Sequence, residues 1–422
     1  MSEFQRIVRR LSAATASVAL VAVVLATGAQ ARVVVGYESG VSAAQRAEIV
    51  ESAGGQRGRS VVGLQADRVE PAAGSDEVTL LTRLKLDRRV RYAEHDAQID
   101  ASGSPRYPND PSFPSQWGLS NSADHDIDAP PGWESKTSCS KVAILDTGID
   151  VNHPDLVSNL WHNSGEKANN GEDDDKNGYV DDYYGVNVRI GSGSGIDNDG
   201  HGTHIAGIIG ASANNAVGIS GVCWKGSLMS VKFMSFFGVG STSDAAEGIR
   251  YAVKMGARVI NASFGSSSAS STLHDAIAYA KSKGALIVVA AGNDHVNIDK
   301  KPSYPASYTD GNILTVAASD ANDKLASFSN YGESSVDVAA PGVDIFSTFP
   351  GGRYAEMSGT SMATPYVAGI AGLLKAKNSD TDYGDWKYAI RKKVDKPSAL
   401  KHKVVYDGRA NLNKAIDYIA GL

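Results

Sequence analysis

Cysteine is scarce in this chain: 422 residues contain only Cys139 and Cys223. Neither lies beside a motif that carries chemistry, so a cysteine nucleophile is excluded. Long apolar runs are also lacking. The apolar stretch at residues 18–26 is shorter than the roughly 20 residues a membrane-spanning helix needs. Basic residues are not in excess: 41 Lys and Arg stand against 47 Asp and Glu, a net charge of −6. That balance excludes a polybasic nucleic-acid surface and a polyacidic tail alike. The composition is otherwise that of an ordinary globular protein.

The first residues read as a processed leader. Arg6, Arg9 and Arg10 precede the apolar stretch, and Ala29-Gln30-Ala31 fits a small-residue cleavage site. A secretory signal over 1–31, cut after Ala31, implies a secreted protein; an uncleaved membrane anchor is the alternative. Residues 32–101 have their own pattern and predict a small α+β domain. Strands are expected at 33–35, 61–64, 77–80 and 91–93, with helices at 42–52 and 82–88. A Ser-, Pro- and Asn-rich linker covers 101–114, and the remainder, 102–422, is long enough for one large α/β domain.

Three motifs in that remainder converge on one chemistry. Asp146 ends the apolar run Val142-Ala143-Ile144-Leu145, and so reads as the tip of a buried parallel strand. His201 lies in Asp199-Gly200-His201-Gly202-Thr203-His204, at the start of an apolar helix. Ser361 lies in Gly359-Thr360-Ser361-Met362-Ala363-Thr364-Pro365, near the N-terminus of another helix; Pro365 reads as a first-turn residue there. A serine hydroxyl needs an imidazole to take its proton, and the imidazole needs a carboxylate to hold its tautomer. A fourth candidate, Asn293, follows the strand-like run 287–291 and offers an amide to an oxyanion. Taken singly, the first three would read as a turn cap, a core histidine and a helix cap. Together they predict a serine hydrolase.

The set resembles the subtilisin-like serine proteases, the subtilase family, from near Tyr107 to the C-terminus. The resemblance implies a three-layer α/β/α domain with a mostly parallel central sheet. It implies endopeptidase activity through a Ser361 acyl-enzyme without a catalytic cofactor, protein or peptide substrates, and a monomer. It makes His201 rather than His204 the base, and Asn293 the oxyanion donor. It places Ser263, Phe264 and Gly265, with Ala290, Ala291, Gly292 and Ser303, around the specificity pocket, and Gly238 and Gly240 on the facing strand. With no charge among these, cleavage after apolar or aromatic residues is expected, Asp294 adding a slight taste for basic ones at the rim. Residues 32–101 are similar to an inhibitor-type, ferredoxin-like propeptide, a partner in cis or trans that is cut off near 99–106. The family sheet order would make the strands after Cys139 and Cys223 neighbours; the sequence leaves a disulfide between them open. A catalytically silent binding module is the alternative function. An esterase of the α/β-hydrolase kind is opposed by chain order and by the lack of a Gly-x-Ser-x-Gly elbow at Ser361.

One acidic stretch predicts structural calcium. In the run 172–182, Asp173, Asp175 and Asn177 have the spacing of calcium-loop ligands, with the Tyr179 carbonyl and Asp182 to complete the shell. The full EF-hand pattern fails, because Tyr184 occupies the twelfth position. The alternative is a solvated acidic loop. A second site is implied by the resemblance alone, through Asp110, Asp155 and the Asn215, Val217 and Ile219 loop.

Overall fold

The computed structural model describes residues 33–95, 105–193 and 195–422. The expected leader with its cut after Ala31, and most of the expected 99–106 cleavage stretch, lie outside the described residues. The chain divides into two compact units, Met1–Ala101 and Ser102–Leu422.

The first unit runs β1 (Val33–Tyr37), α1 (Ala43–Ser52), β2 (Gly55–Ser60), β3 (Ala66–Pro71), α2 (Glu77–Leu86), β4 (Val90–His95). Its four strands pair antiparallel in the order β2-β3-β1-β4, the split βαβ arrangement. Ser42 and Gln45 form a capping box at the start of α1. Two expected strands are absent. Residues 61–64 form the turn between β2 and β3, with Val62 and Leu64 exposed. Residues 77–80 open a helix, because the Asp76 side chain caps it at the Thr79 N–H (2.8 Å) and Leu80 and Leu84 then share the buried face. A short apolar run fits either period, and here the cap decides.

The second unit contains α3 (Ala129–Ser135), β5 (Ser138–Asp146), β6 (Gly185–Asn187), α4 (His201–Gly210), β7 (Lys225–Lys232), α5 (Thr242–Lys254), β8 (Val259–Ala262), α6 (Ser271–Ser282) and β9 (Leu286–Ala290). There follow β10 (Ile313–Ser319), β11 (Val338–Pro341), the hairpin β12 (Ile345–Phe349) and β13 (Arg353–Met357), α7 (Thr360–Lys377), α8 (Tyr383–Lys392), β14 (Val394–Asp395), β15 (Arg409–Ala410) and α9 (Leu412–Ala420). The nine-stranded sheet has the order β14-β15-β11-β10-β9-β8-β5-β7-β6. All its pairings are parallel except β14 with β15.

Strand alternation explains the three layers. Val142 and Ile144 of β5 pack with α4, α7, α8 and α9, whereas Ala143 and Leu145 pack with α5 and α6. Both faces are covered, which is why these strands read as unbroken apolar runs.

Cys139 and Cys223 form a disulfide, with Cα atoms 5.5 Å apart. The β5–β7 register places Ser138 opposite Lys225, so the two cysteines sit at adjoining strand starts. The bridge closes 84 residues, for which chain entropy gives about 4.5 kcal/mol. Replacing both cysteines with alanine is expected to lower the urea midpoint accordingly; an unchanged midpoint would show that the bridge stabilises nothing.

Candidate active site

Parallel neighbours end together, and their C-terminal edge carries the candidate residues. Asp146 is the last residue of β5. Ser263 follows β8, and Asn293 lies just beyond β9. The order β5-β8-β9 places these three tips side by side, about 5 Å per step.

His201 is the first residue of α4, entered through Gly200 at φ 116°, a backbone angle that favours glycine. A Cβ at Gly200 would also lie 2.3 Å from the Phe349 ring. His201 Nδ1 donates to Asp146 Oδ1 at 2.8 Å, and the Thr147 N–H donates to the same oxygen at 2.7 Å. Asp146 Oδ2 is buried without a hydrogen-bond partner. Burial pulls the His201 pKa down, but Asp146, with Asp199 and Asp197 behind it, more than reverses this and raises it above the usual 6.5. His204 differs: burial pushes it to about 4, and its Nε2 bonds the Ala355 carbonyl at 3.0 Å. It is a neutral structural residue.

Ser361 is the second residue of α7 and is tied to Ser263 twice. Its hydroxyl donates to the Ser263 carbonyl at 3.2 Å, and the Ser263 hydroxyl donates to the Ser361 carbonyl at 3.0 Å. The second bond corrects the reading of Pro365. That residue lies inside α7, beyond its first turn, and its missing N–H frees the Ser361 carbonyl four residues back. Ser263 takes up the freed acceptor. Ser361 Oγ thus donates to the Ser263 carbonyl, and nucleophilic attack requires it to donate to His201 Nε2 instead.

Asn293 is oriented by Thr360, a residue the sequence reading passed over. The Thr360 N–H and hydroxyl both donate to Asn293 Oδ1 at 2.9 Å, which leaves the amide NH2 free to donate. The signal was present: Thr360 adjoins Ser361.

Asp197 and Lys232 were also missed. The buried Asp197 carboxylate accepts from the Thr147 hydroxyl (2.9 Å), the Asp199 and Gly200 N–H groups (3.0 and 2.9 Å), and the Thr203 N–H and hydroxyl (2.9 and 2.6 Å). It caps the helix that carries His201 and ties it to the residue after Asp146. Lys232, at the end of β7, donates its Nζ to the Thr147 and Ile196 carbonyls. Its buried ammonium has a pKa pulled below the usual lysine value by desolvation.

A cavity of about 400 Å³ opens beside Ser361. Ser263, Phe264, Gly265, Ala290, Gly292, Asn293 and Ser303 line it, together with Thr360 and Asn330. Ala291 does not: alternation turns it into the core against Ile298 and Ala306. Asp294, expected at the rim, lines the cavity, and so does Lys301, a charge that was not foreseen. Gly238 and Gly240 lie in a separate hairpin loop after β7.

Matching to family models identifies the "Subtilase family" over residues 138–410. This chain belongs to the subtilase family. It is 39% identical to thermitase of Thermoactinomyces vulgaris over 320 residues, 74% of this chain and 99% of that one. It is 36% identical to a thermophilic serine proteinase of Bacillus sp. (strain AK1) over 395 residues, 92% of this chain and 88% of that one. Among solved structures, a protease from Pseudoalteromonas arctica PAMC 21717 superposes with a TM-score of 0.62 at 28% identity, covering 74% of this chain and 99% of that one. The subtilase is accordingly a serine endopeptidase of the subtilisin type, with the three-layer α/β/α fold, acting on protein or peptide substrates.

The acidic residues expected to hold calcium fall into two groups within the second unit. In the first, buried Asp110 accepts from the Asn214 and Asn215 N–H groups (2.8 and 3.0 Å). Buried Asp155 accepts from the Asn215 amide (2.9 Å), the Ile219 N–H (2.9 Å) and the Tyr354 hydroxyl (3.0 Å). Burial raises the Asp110 pKa, and the nearby Asp155 charge adds to it. The Asn215 side-chain oxygen accepts from the Val217 N–H at 2.7 Å.

In the second group, Glu166, Asp173 and Asp175 bring carboxylate oxygens within 4.8 Å of one another. Glu166 was not foreseen; it precedes the acidic run by several residues. Its Oε2 is buried without a partner. Asp182 stands behind this group, held by Asn163 (2.7 Å), Asn177 (2.8 Å) and the Tyr251 hydroxyl (2.6 Å). The Tyr179 hydroxyl bonds Glu247 at 2.8 Å.

Proposed function

We propose that this endopeptidase works through Ser361 as nucleophile, His201 as general base, Asp146 as the carboxylate that orients His201, and Asn293 as oxyanion donor. The single observation that supports the reading is the row of strand tips. It ties His201 to Asp146 at one end and Ser361 and Asn293 to the adjacent tips at the other. Attack on a peptide carbonyl passes the Ser361 proton to His201 Nε2. The imidazolium that forms is stabilised by Asp146 and returns the proton to the leaving amine. The free Asn293 amide and the Ser361 backbone N–H at the start of α7 receive the developing oxyanion. A phosphonyl fluoride is expected to abolish casein hydrolysis; casein hydrolysis that survives saturating reagent would refute the serine mechanism.

Asn293→Ala is expected to lower kcat about 10²- to 10³-fold with little change in KM. Thr360→Val removes one of the two anchors on Asn293 Oδ1 and is expected to lower kcat about tenfold. Equal losses in KM and none in kcat would assign both residues to ground-state binding instead.

The protein is proposed to be secreted and made as a zymogen whose residues 32–101 serve as propeptide. Two observations support this: the βαββαβ unit ahead of the protease domain, and a match to the strain AK1 proteinase too long to leave that unit out. Among the described residues no helix is long and apolar enough to cross a membrane.

Structural calcium is proposed at both acidic groups. Their donors are all oxygen, which suits a hard cation; Asp110 and Asp155 are buried, buried Glu166 meets half-buried Asp173 and exposed Asp175, and in each group the carboxylates repel one another when unneutralised. Asp110 and Asp155 with the Asn215, Val217 and Ile219 loop would hold one ion. Glu166, Asp173 and Asp175 with the Asn177 and Tyr179 segment would hold another, Asp182 steadying that loop from behind. Stripping calcium with a chelator is expected to lower Tm by about 5–10 °C. Calcium should restore it, and an unchanged Tm would remove this part of the reading.

A further inference from the structure

The turn that carries Asn293 begins where β9 ends, so its backbone groups leave the sheet ladder and need other partners. One residue supplies several of them. Asn330, in the loop between β10 and β11, is fully buried. Its Nδ2 donates to the Ala291 carbonyl at 2.9 Å, and its Oδ1 accepts from the Asp294 and Val296 N–H groups at 3.1 and 3.0 Å. Its own backbone N–H donates to the Gly292 carbonyl at 2.9 Å. Ala291 and Gly292 precede Asn293; Asp294 and Val296 follow it. Asn293 stands between them, exposed and lining the cavity beside Ser361.

The partners ask for an amide, a donor on one side and an acceptor on the other. A carboxylate could accept both N–H groups but would oppose the Ala291 carbonyl. An aliphatic side chain would pair with none of the three. The amide is also held by packing: a Cβ at Gly292, which turns at φ +101°, would lie 2.4 Å from Asn330 Nδ2. Beyond it the two segments stay joined, His295 donating its N–H to the Phe328 carbonyl (2.8 Å) and Tyr331 donating to the Val296 carbonyl (3.1 Å). Thr360 reaches the same turn from α7. It donates twice to Asn293 Oδ1, and its hydroxyl accepts from the Gly292 N–H at 3.2 Å. Thr360 thus sets which way the Asn293 amide faces, and Asn330 sets where its backbone stands.

We propose that Asn330 is a positioning residue of the reaction, holding the turn so that the Asn293 amide meets the oxyanion. This rests on the reading of Asn293 as oxyanion donor. The oxyanion develops only in the transition state, and a useful donor lies roughly 2.7–3.1 Å from it. A misplacement of about 1 Å costs about 10²-fold in rate; a turn freed of one clamp but still held by Thr360 shifts less, for a loss of about tenfold. The loss falls on kcat and spares KM, because the bound substrate has no oxyanion to meet.

The test is a double-mutant cycle on a fluorogenic peptide, with rates expressed per molecule titrated to completion by the phosphonyl fluoride. Asn330→Ala is expected to lower kcat about tenfold and to change KM by less than about twofold. In the Asn293→Ala enzyme the same substitution is expected to lower kcat by less than about twofold, since no donor remains to be positioned. A residue that merely supports the fold would cost the same factor in both enzymes. Equal losses in the two backgrounds overturn the proposal, as does an unchanged kcat, or a raised KM with kcat held. Should Asn330→Ala give no folded protein, Asn330→Asp repeats the cycle with the volume and both N–H acceptors kept, and the same pattern is expected. If neither variant folds, Asn330 belongs to the fold rather than to the reaction, and the proposal fails. An Asn293→Ala enzyme with undiminished kcat fails the oxyanion reading itself, a separate result.

Discussion

Ser361→Ala is expected to lower kcat by a factor on the order of 10⁶ while leaving the fold intact. The hydroxyl is the only atom removed, and its one hydrogen bond, to the Ser263 carbonyl, is long and half-exposed. Losing such a bond costs about 1 kcal/mol at most, so Tm should hardly move. The residual rate should stand above that in water, because Asn293 and the α7 N-terminus remain. The variant should also stay full-length on expression, since processing between residues 99 and 106 would depend on the same site. A Ser361→Ala protein that hydrolyses casein at a substantial fraction of the wild-type rate would contradict the assignment, as would one that matures normally in a host lacking other proteases.

Asp146→Asn is the second large effect, expected to lower kcat about 10⁴-fold. In the present geometry Asp146 Oδ1 accepts from His201 Nδ1. An amide in that place can turn its NH2 to the ring, which fixes the hydrogen on Nε2, where it cannot accept the Ser361 proton. The pH profile should move as well. His201 acts as a base only when neutral, so kcat/KM rises with pH through its pKa. In the wild type Asp146, Asp197 and Asp199 raise that pKa above 6.5 against the pull of burial, with neutral His204 close by. Removing the nearest charge should shift the acid limb to lower pH. A shift to higher pH, or none at all, would mean that Asp146 does not govern His201.

The parts of the fold legible in the sequence were those set by unbroken apolar runs. The strands at Val142-Ala143-Ile144-Leu145 and 287–291 had to be buried on both faces, and their ends had to point at the site. The helices at His201 and Ser361 were marked by glycines ahead of apolar stretches. Legibility failed where a cap outweighs a pattern, as at Asp76, where a run taken for a strand winds into a helix. It failed where burial depends on alternation, as at Ala291, which adjoins the cavity in sequence but faces the core. Asp197 and Glu166 were invisible for a different reason. Each acts through partners set by tertiary contact, and no spacing rule announces a carboxylate that accepts five hydrogen bonds. Pro365 shows the same limit: its tolerance rests on the hydroxyl of Ser263, 98 residues away from the carbonyl it relieves.

The hydroxyl of Ser361 donates to the Ser263 carbonyl, and as nucleophile it must pass its proton to His201 instead. The most direct test is to label the wild-type protein with a fluorophosphonate, digest it, and locate the adduct by mass spectrometry. One adduct per active molecule is expected, on Ser361, formed at a rate that follows the His201 pH limb. An adduct on another residue, or full peptidase activity without any adduct, would contradict Ser361 as the nucleophile.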